Sequence, residues 1–395
     1  MKKRKALSMA LLLILGVILL TVCGLLGCSK STKKKETSPK GVSTGKTVSI
    51  PTRILDNKFG FLSGGPGEPE RIKEFGGLWG RPHPGPFLWD SMQKVKNGDI
   101  SYSKTDRLVK EYQEEGIGLL VTLWPFADWD QKQKSNASDY KVSENDEFLP
   151  RGPGGMFQDM DYLPRYRGNP FDWKAYRKWV KAIVERYDGD GKNDMPGLKI
   201  PIKYWEVMNE PDLTAPEGAE DEGRLDFYTE DAEDYGELLI KTSEAIKEAD
   251  SEAKILIAGA AGGNDRFLHF YRQVFADEKT ILAFDIANVH CISNDEYESF
   301  NVEPYLKMLQ DLGIDKPVWV TEAEAMISDD QDINATQTMR SSKKALELGA
   351  ERIFFTSQKF EGGGKPPVPE HESLDIEPEI DGSDPEEVYK TITSQ

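Results

Sequence analysis

From residue 50 onward the chain alternates between two hydrophobic patterns. Short apolar runs, rich in β-branched and aromatic residues, are each followed by a longer stretch in which apolar positions recur every three or four residues. The short runs predict strands over 58–62, 78–81, 118–123, 203–208, 254–258, 284–290, 317–321 and 352–356. The longer stretches predict helices over 70–75, 104–115, 172–186, 232–249, 265–276, 302–312 and 335–348, with a weaker one over 385–392. Strands in strict alternation with helices imply parallel βαβ units, and eight such units suggest closure into a (β/α)8 TIM barrel, an α/β fold. An open, doubly wound sheet is the alternative. It would want a glycine-rich phosphate turn opening a helix, and Gly60, Gly64 and Gly65 lie near that place with the wrong spacing.

Two connections are long. Residues 125–171 follow the third strand and 359–384 follow the eighth. Both leave strand C-termini, the face on which barrels of this kind carry their active sites.

The first 49 residues follow a different pattern. Lys2, Lys3, Arg4 and Lys5 precede an apolar run over 6–26, which ends in Leu25-Leu26-Gly27-Cys28. This resembles a bacterial lipoprotein signal, whose small residue lets the peptidase reach the bond before a lipidated cysteine. Cys23 fits less well, because Val22 precedes it. The expected organisation is a signal peptide over 1–27, a flexible Lys/Ser/Thr linker over 28–49 and a catalytic domain over 50–395, tethered outside the cytoplasm through Cys28. An uncleaved transmembrane anchor is the alternative, with the same extracytoplasmic address.

Charge narrows the partners. The chain has 50 Lys and Arg against 68 Asp and Glu, a net charge of −18. The signal and linker hold ten of the basic residues and one acidic residue, so the body carries a net −27. Such a surface excludes nucleic acid as an expected partner and disfavours polyanionic substrates. Beyond Cys28 the processed chain has only Cys291, so no intramolecular disulfide framework is possible. Cys291 has no base or metal motif beside it and reads as a buried, inert thiol. The oligomeric state is not legible.

The strongest chemical signal is Tyr204-Trp205-Glu206-Val207-Met208-Asn209-Glu210-Pro211, a strand running into Asn-Glu-Pro. Alone, that tripeptide could be a structural turn. A second strand, Pro317-Val318-Trp319-Val320-Thr321-Glu322, ends in another glutamate in the seventh strand slot. Carboxylates at the ends of strands four and seven can converge across a barrel mouth. Glycoside cleavage needs such a pair, one to protonate the leaving oxygen and one to attack or to activate water.

These two strands resemble those of the large clan of retaining glycosidases that includes the family 5 cellulases and family 39 xylosidases. The resemblance spans roughly residues 50–360. It implies Glu210 as acid/base, Asn209 as ligand of the sugar 2-hydroxyl and Glu322 as nucleophile. Glu324, two residues on, is expected to contact substrate or support the site, with a nucleophilic role as a lesser alternative. Arg81, ending strand two, matches the arginine that keeps the clan's nucleophile ionised. His290, ending strand six, matches a histidine near it. The clan often has a tyrosine two positions later, where this chain has Ile292, and a tryptophan after strand eight, where it has Thr356-Ser357-Gln358-Lys359-Phe360.

Sugar rings present apolar faces on which aromatic side chains stack. Trp89, Trp124, Phe126 and Trp129 follow strand ends and are candidate platforms, and His83 is a candidate sugar contact. Trp173, Trp179, Trp205 and Trp319 read as packing residues. The run Asp188–Asp194 looks somewhat like a calcium loop, but Lys192 and Asn193 stand where an oxygen ligand and glycine are wanted. An ordered turn is the expectation, and no metal or cofactor is implied. The expected function is a membrane-tethered retaining glycosidase acting on a neutral oligo- or polysaccharide. A non-catalytic sugar-binding protein on a degenerate barrel is the alternative. Endo or exo action, and hydrolysis or transglycosylation, stay open.

Overall fold

The structure is a computed structural model that describes residues 46–63, 68–83, 85–134, 167–213, 227–291, 297–325, 331–356 and 390–394. Its strands are β1 (Phe59–Ser63), β2 (Trp79–Pro82), β3 (Gly118–Leu123), β4 (Tyr204–Val207), β5 (Lys254–Ile257), β6 (Ala287–Cys291), β7 (Val318–Ala323) and β8 (Ala350–Phe355). They lie in the order β5-β4-β3-β2-β1-β8-β7-β6, every pair parallel. The two ends of this order meet. Leu256 bridges Ile286 and Ala260 bridges Val289, and the His290 N–H donates to the Ala260 carbonyl at 2.8 Å. The sheet is therefore a closed (β/α)8 barrel, and the open doubly wound alternative is excluded.

The main helices, Ser103–Glu115, Trp173–Tyr187, Ala232–Ala249, Asp265–Val274, Val302–Asp311 and Gln331–Glu347, follow strands as their periodicity predicts. Their ends have local causes. Asp231 closes a capping box on Ala232–Ala249, Asp172 caps Trp173–Tyr187, and Gly116, at φ 75°, ends Ser103–Glu115 in the left-handed conformation. The helix expected over 70–75 is Glu68–Glu74, while short helices over Thr52–Asp56, Trp89–Met92, Asp128–Lys134 and Glu278–Leu282 are additions to the sequence reading, having too few turns to show a clear apolar spacing. Strand β6 starts at Ala287 rather than 284: the Asp285 carboxylate before it accepts from Lys247 and from the Ile255 N–H. Of the helix expected over 385–392, only residues from 390 are described, and they are helical through 393. Among the described residues, no helix is long and apolar enough to cross a membrane.

Side chains fill the barrel in layers. The floor is apolar: Trp79, Leu120, Leu256, Ile286, Trp319 and Phe354 form one cluster with Ile54 and Ile200. Ile54 comes from the short helix Thr52–Asp56, which closes this end. The Arg352 guanidinium lies 4.3 Å from the Trp79 ring and 4.5 Å from that of Trp319, and donates to the carbonyls of Leu55 and Asn57. A larger apolar cluster fills the space around the strands and includes inner faces of the helices, with Trp179 and Trp205 in it.

Successive strand residues face opposite sides, so a step of two returns to the interior. Two residues beyond the floor the interior turns polar: Arg81 on β2, Thr122 on β3, Glu206 on β4, Asn288 on β6 and Thr321 on β7, all fully buried. This layer is the foundation of the site above it.

Candidate active site

Arg81 organises the polar layer. Its Nε donates to Glu206 Oε2 at 2.8 Å, one terminal nitrogen to Glu322 Oε1 at 2.6 Å, and the other to Asn209 Oδ1 at 2.7 Å. A planar guanidinium can serve three acceptors on two strands at once, which an ammonium cannot. Glu206 also accepts from the Thr122 hydroxyl and, at 2.7 Å, from Asn288 Nδ2. Sequence reading passed over Glu206, Thr122, Asn288 and Thr321. Their available signal was position: Thr122, Asn288 and Thr321 stand two residues past the floor residues Leu120, Ile286 and Trp319, and Glu206 two past Tyr204, which packs on the floor.

Strand β4 ends in strained backbone. Met208 and Glu210 both have positive φ, 70° and 38°, on either side of Asn209. For non-glycine residues this costs about 1–3 kcal/mol each, and it persists where surrounding contacts fix the chain. The Met208 N–H is held by the Leu123 carbonyl at 3.1 Å. The turn sends the Asn209 amide oxygen to Arg81 and the Glu210 carboxyl to His290. Asn209 Nδ2 is buried beside Glu210; it makes no hydrogen bond of full geometry but lies close enough to the Glu210 carboxyl to oppose the rise of its pKa.

Strands β6 and β7 bring the opposite wall. A register shift between Val289 and His290 sets His290 opposite Glu322. His290 Nδ1 lies 2.7 Å from Glu210 Oε1 and 3.7 Å from Glu322 Oε1, and its Nε2 lies 2.8 Å from Thr321 Oγ1. Gly259 makes room for the ring: a Cβ there would sit 2.0 Å from His290 Nε2. One oxygen each of Glu210 and Glu322 and a ring nitrogen of His290 lie within 4.8 Å of one another. That spacing would also suit a cation. These atoms are already engaged, however, Glu210 with His290 and Glu322 with Arg81.

Burial dominates the titration of the group. It pushes Glu210 up to about 7, with the Arg81 charge pulling the other way. It also raises Glu322, against the opposing pull of His290 and Arg81. His290 is lowered to about 4 and His83 well below its ordinary value, both by burial, so both imidazoles are neutral near pH 7. The two glutamates differ in their partners: Glu322 faces a guanidinium, Glu210 an uncharged imidazole.

The other expected residues divide. His83 is at the site, with Nε2 3.8 Å from Glu322 Oε1 and Nδ1 unpartnered. Its ring centre lies 5.6 Å from that of Trp124 and 6.4 Å from that of Phe227, and Trp124 and Phe227 are 5.7 Å apart. Phe227 was not anticipated, because it follows β4 by some twenty residues. Trp89 is a correction. It is fully buried against Trp129, Tyr176 and Trp179, with its N–H on Gln93, and so packs the core rather than offering a sugar platform. Trp129 is half-buried, edge-on to Trp89, and donates to the Gln93 carbonyl at 2.8 Å. Phe126 is buried too. Glu324 is buried and accepts from the Thr356 hydroxyl, and its N–H donates to the carbonyl of the buried Cys291 at 2.8 Å. Cys28, Ile292 and residues 357–389 lie outside the described residues.

The Asp188–Asp194 run is a turn whose carboxylates serve its own amides: Asp188 accepts from the Asp190 N–H at 3.0 Å, and Asp194 from the Gly191 N–H at 2.9 Å. It precedes β4, at the floor end of the barrel.

No protein-family model matches the chain, and no curated protein sequence does. Solved structures do resemble it. A glucosidase from Croceicoccus marinus superposes with a TM-score of 0.54 at 13% identity, covering 89% of this chain and 69% of that one. A family 39 glycoside hydrolase from the gut symbiont Bacteroides cellulosilyticus WH2 gives a TM-score of 0.49 at 15% identity, over 78% of this chain and 57% of that one. At such identity the likeness is one of fold: the chain shares the (β/α)8 barrel found in glycosidases.

Proposed function

We propose that the chain is a retaining glycoside hydrolase acting on a neutral oligo- or polysaccharide. The observation that carries this reading is the pairing of Glu210 and Glu322, oxygen to oxygen within 4.8 Å, with Arg81 on one and a neutral imidazole on the other. Carboxylates about 5–5.5 Å apart leave no room for a water between nucleophile and sugar, whereas inverting pairs stand about 6.5–9.5 Å apart. Protonated Glu210 donates to the leaving oxygen as Glu322 attacks the anomeric carbon, forming a glycosyl ester. Glu210, now a carboxylate, takes a proton from the water that cleaves this ester. The Asn209 side-chain amide suits the 2-hydroxyl, and the edges of His83 and Phe227, backed by the fully buried Trp124, suit the apolar face of a sugar.

Screening the full chain on aryl glycosides and polysaccharides, with Glu210→Ala and Glu322→Ala as controls, tests this. A wild type that binds glycans but hydrolyses none would favour the sugar-binding alternative. Product analysis at high acceptor concentration separates hydrolysis from transglycosylation. The tether at Cys28 is part of the same reading and rests on the signal motif: Cys28→Ala is expected to shift the protein from membrane to soluble fractions, and unchanged membrane retention would sink it.

The pH dependence follows from Glu210. Its proton is needed for the first step and is lost near pH 7, so kcat/KM is expected to fall as pH rises through about 7. The same shift bears on stability. The folded value lies above the ordinary 4.5, so the folded state binds the proton more tightly. The stabilisation it gives is complete below about 4.5 and is lost as pH rises toward about 7. Urea midpoints of wild type and Glu210→Gln, measured between pH 4 and 8, should differ in this slope.

A further inference from the structure

The polar layer beneath the site has one consistent assignment of protons. It begins at Glu206. The Arg81 guanidinium and the Thr122 hydroxyl both donate to Glu206 Oε2, and Asn288 approaches Oε1 at 2.7 Å. A carboxylate only accepts, so Asn288 must present its NH2 there and turn its carbonyl oxygen away. Thr321 Oγ1 stands 2.9 Å from that Asn288 Oδ1. Glu206 Oε1 lies 3.3 Å from the same hydroxyl; neither oxygen can donate, so the single hydroxyl proton of Thr321 is committed to these two acceptors, the nearer being Asn288 Oδ1. His290 Nε2 lies 2.8 Å from Thr321 Oγ1, whose proton is already spent. The imidazole must therefore donate from Nε2. A neutral imidazole carries one proton, so Nδ1 is a lone pair. It faces Glu210 Oε1 at 2.7 Å. Only a protonated carboxyl satisfies that contact.

Resting on the assignment of Glu210 as the acid, we infer that Glu206, Asn288, Thr321 and His290 form a directional hydrogen-bond relay that positions the acid proton on Glu210. The ionised pair at one end fixes the direction of each bond, and the relay ends on a carboxyl that has to arrive protonated. When Glu210 gives this proton to the leaving oxygen, its carboxylate faces a nitrogen lone pair. The ionised form is thereby disfavoured until the water of the second step returns a proton. All four are positioning residues; the group that touches the reacting atoms is Glu210. The other charged and titratable groups around Glu210 are Arg81 from β2, Asp212 two residues along, Tyr271 from the helix after β5, and Glu322 from β7, with His83 beyond Glu322. Those that Thr321→Val leaves in place cancel in the comparison.

The tautomer is directly measurable. Two-bond 15N–1H correlation spectra of the full chain with labelled imidazoles, assigned by loss of one ring system in His290→Asn, should show His290 as the Nε2–H tautomer near pH 7. Thr321→Val removes the acceptor of that proton and frees the ring to adopt Nδ1–H, donating to an ionised Glu210. The tautomer should switch, and the alkaline limb of kcat/KM should move down by about one unit, roughly a tenfold change in the Glu210 proton equilibrium. Thr321→Ser keeps the hydroxyl and should retain the wild-type tautomer and profile. An Nδ1–H or doubly protonated His290 in the wild type overturns the relay. So does a Thr321→Val variant with wild-type tautomer and pH limb. The spectra need no substrate, so a chain that hydrolyses no glycoside would defeat the proposed function and leave this measurement decisive for the relay.

Discussion

Glu322→Gln is expected to lower turnover of an activated aryl glycoside by about 10,000-fold or more, on the scale seen when a covalent nucleophile is removed from an enzyme. The amide has the size of the carboxylate but cannot form the glycosyl ester. Its Oε1 can still accept from Arg81, so the barrel should stay folded. The melting temperature should hold or rise slightly, because a buried carboxylate raised by burial has been replaced by a neutral group. The informative contrast is Glu210→Ala. A dinitrophenyl leaving group departs without protonation, so its first step should survive in Glu210→Ala, with azide restoring turnover and giving a glycosyl azide of retained configuration. Azide cannot replace the lost ester in that way in Glu322→Gln. Hydrolysis of all substrates at near wild-type rates by Glu322→Gln would remove Glu322 from the mechanism, and Glu324 would be the next carboxylate to replace.

Arg81→Met should be the most damaging change to the fold among the site residues. It leaves Glu206 and Glu322 buried without the cation they share, and an uncompensated buried charge of this kind costs about 3–5 kcal/mol. Arg81→Lys should rescue little, because one ammonium cannot reach Glu206, Glu322 and Asn209 in the geometry of the fork. The loss should depend on pH. Without the guanidinium, the folded-state pKa of Glu322 rises further above its unfolded value. Stability is then fullest below the unfolded value and is lost as pH rises through the folded one. The deficit of Arg81→Met in urea unfolding should accordingly be larger at pH 8 than at pH 5. An equal deficit at both would mean that the arginine matters for its packing rather than its charge.

How much of this was legible in the sequence follows from which physical signal each residue carries. Gly118–Leu123 and Ala232–Ala249 have the bounds their periodicity predicts, because both patterns run uninterrupted and the helix starts at a capping aspartate. Arg81, Asn209, Glu210, His290 and Glu322 all came together, since a parallel barrel gathers strand C-termini at one mouth whatever the loops do. Glu206 sits in mid-strand, where a charged residue carries no motif, and it becomes visible only when the inward positions of five strands are aligned. Trp89 misled for the opposite reason. An aromatic residue just past a strand end suits a platform, but the helix Trp89–Met92 is too short to announce itself and turns the ring into the packing around Tyr176 and Trp179. Phe227 joined His83 and Trp124 through tertiary placement, which spacing along the chain does not encode.

The buried ion cluster has an evolutionary implication. Replacing interior charges of this kind with well-packed apolar side chains of similar volume is often neutral or stabilising by about 1–4 kcal/mol. Swapping Arg81, Glu206 and Glu322 together for such residues would therefore be tolerated by the barrel, and even rewarded, once chemistry no longer mattered. A lineage that had drifted into merely holding sugars would have a downhill route to a greasy interior, and mutation alone would carry it there. On the proposed function, a guanidinium, three carboxylic side chains and two strained backbone positions held in one buried layer are what turnover would require against that slope.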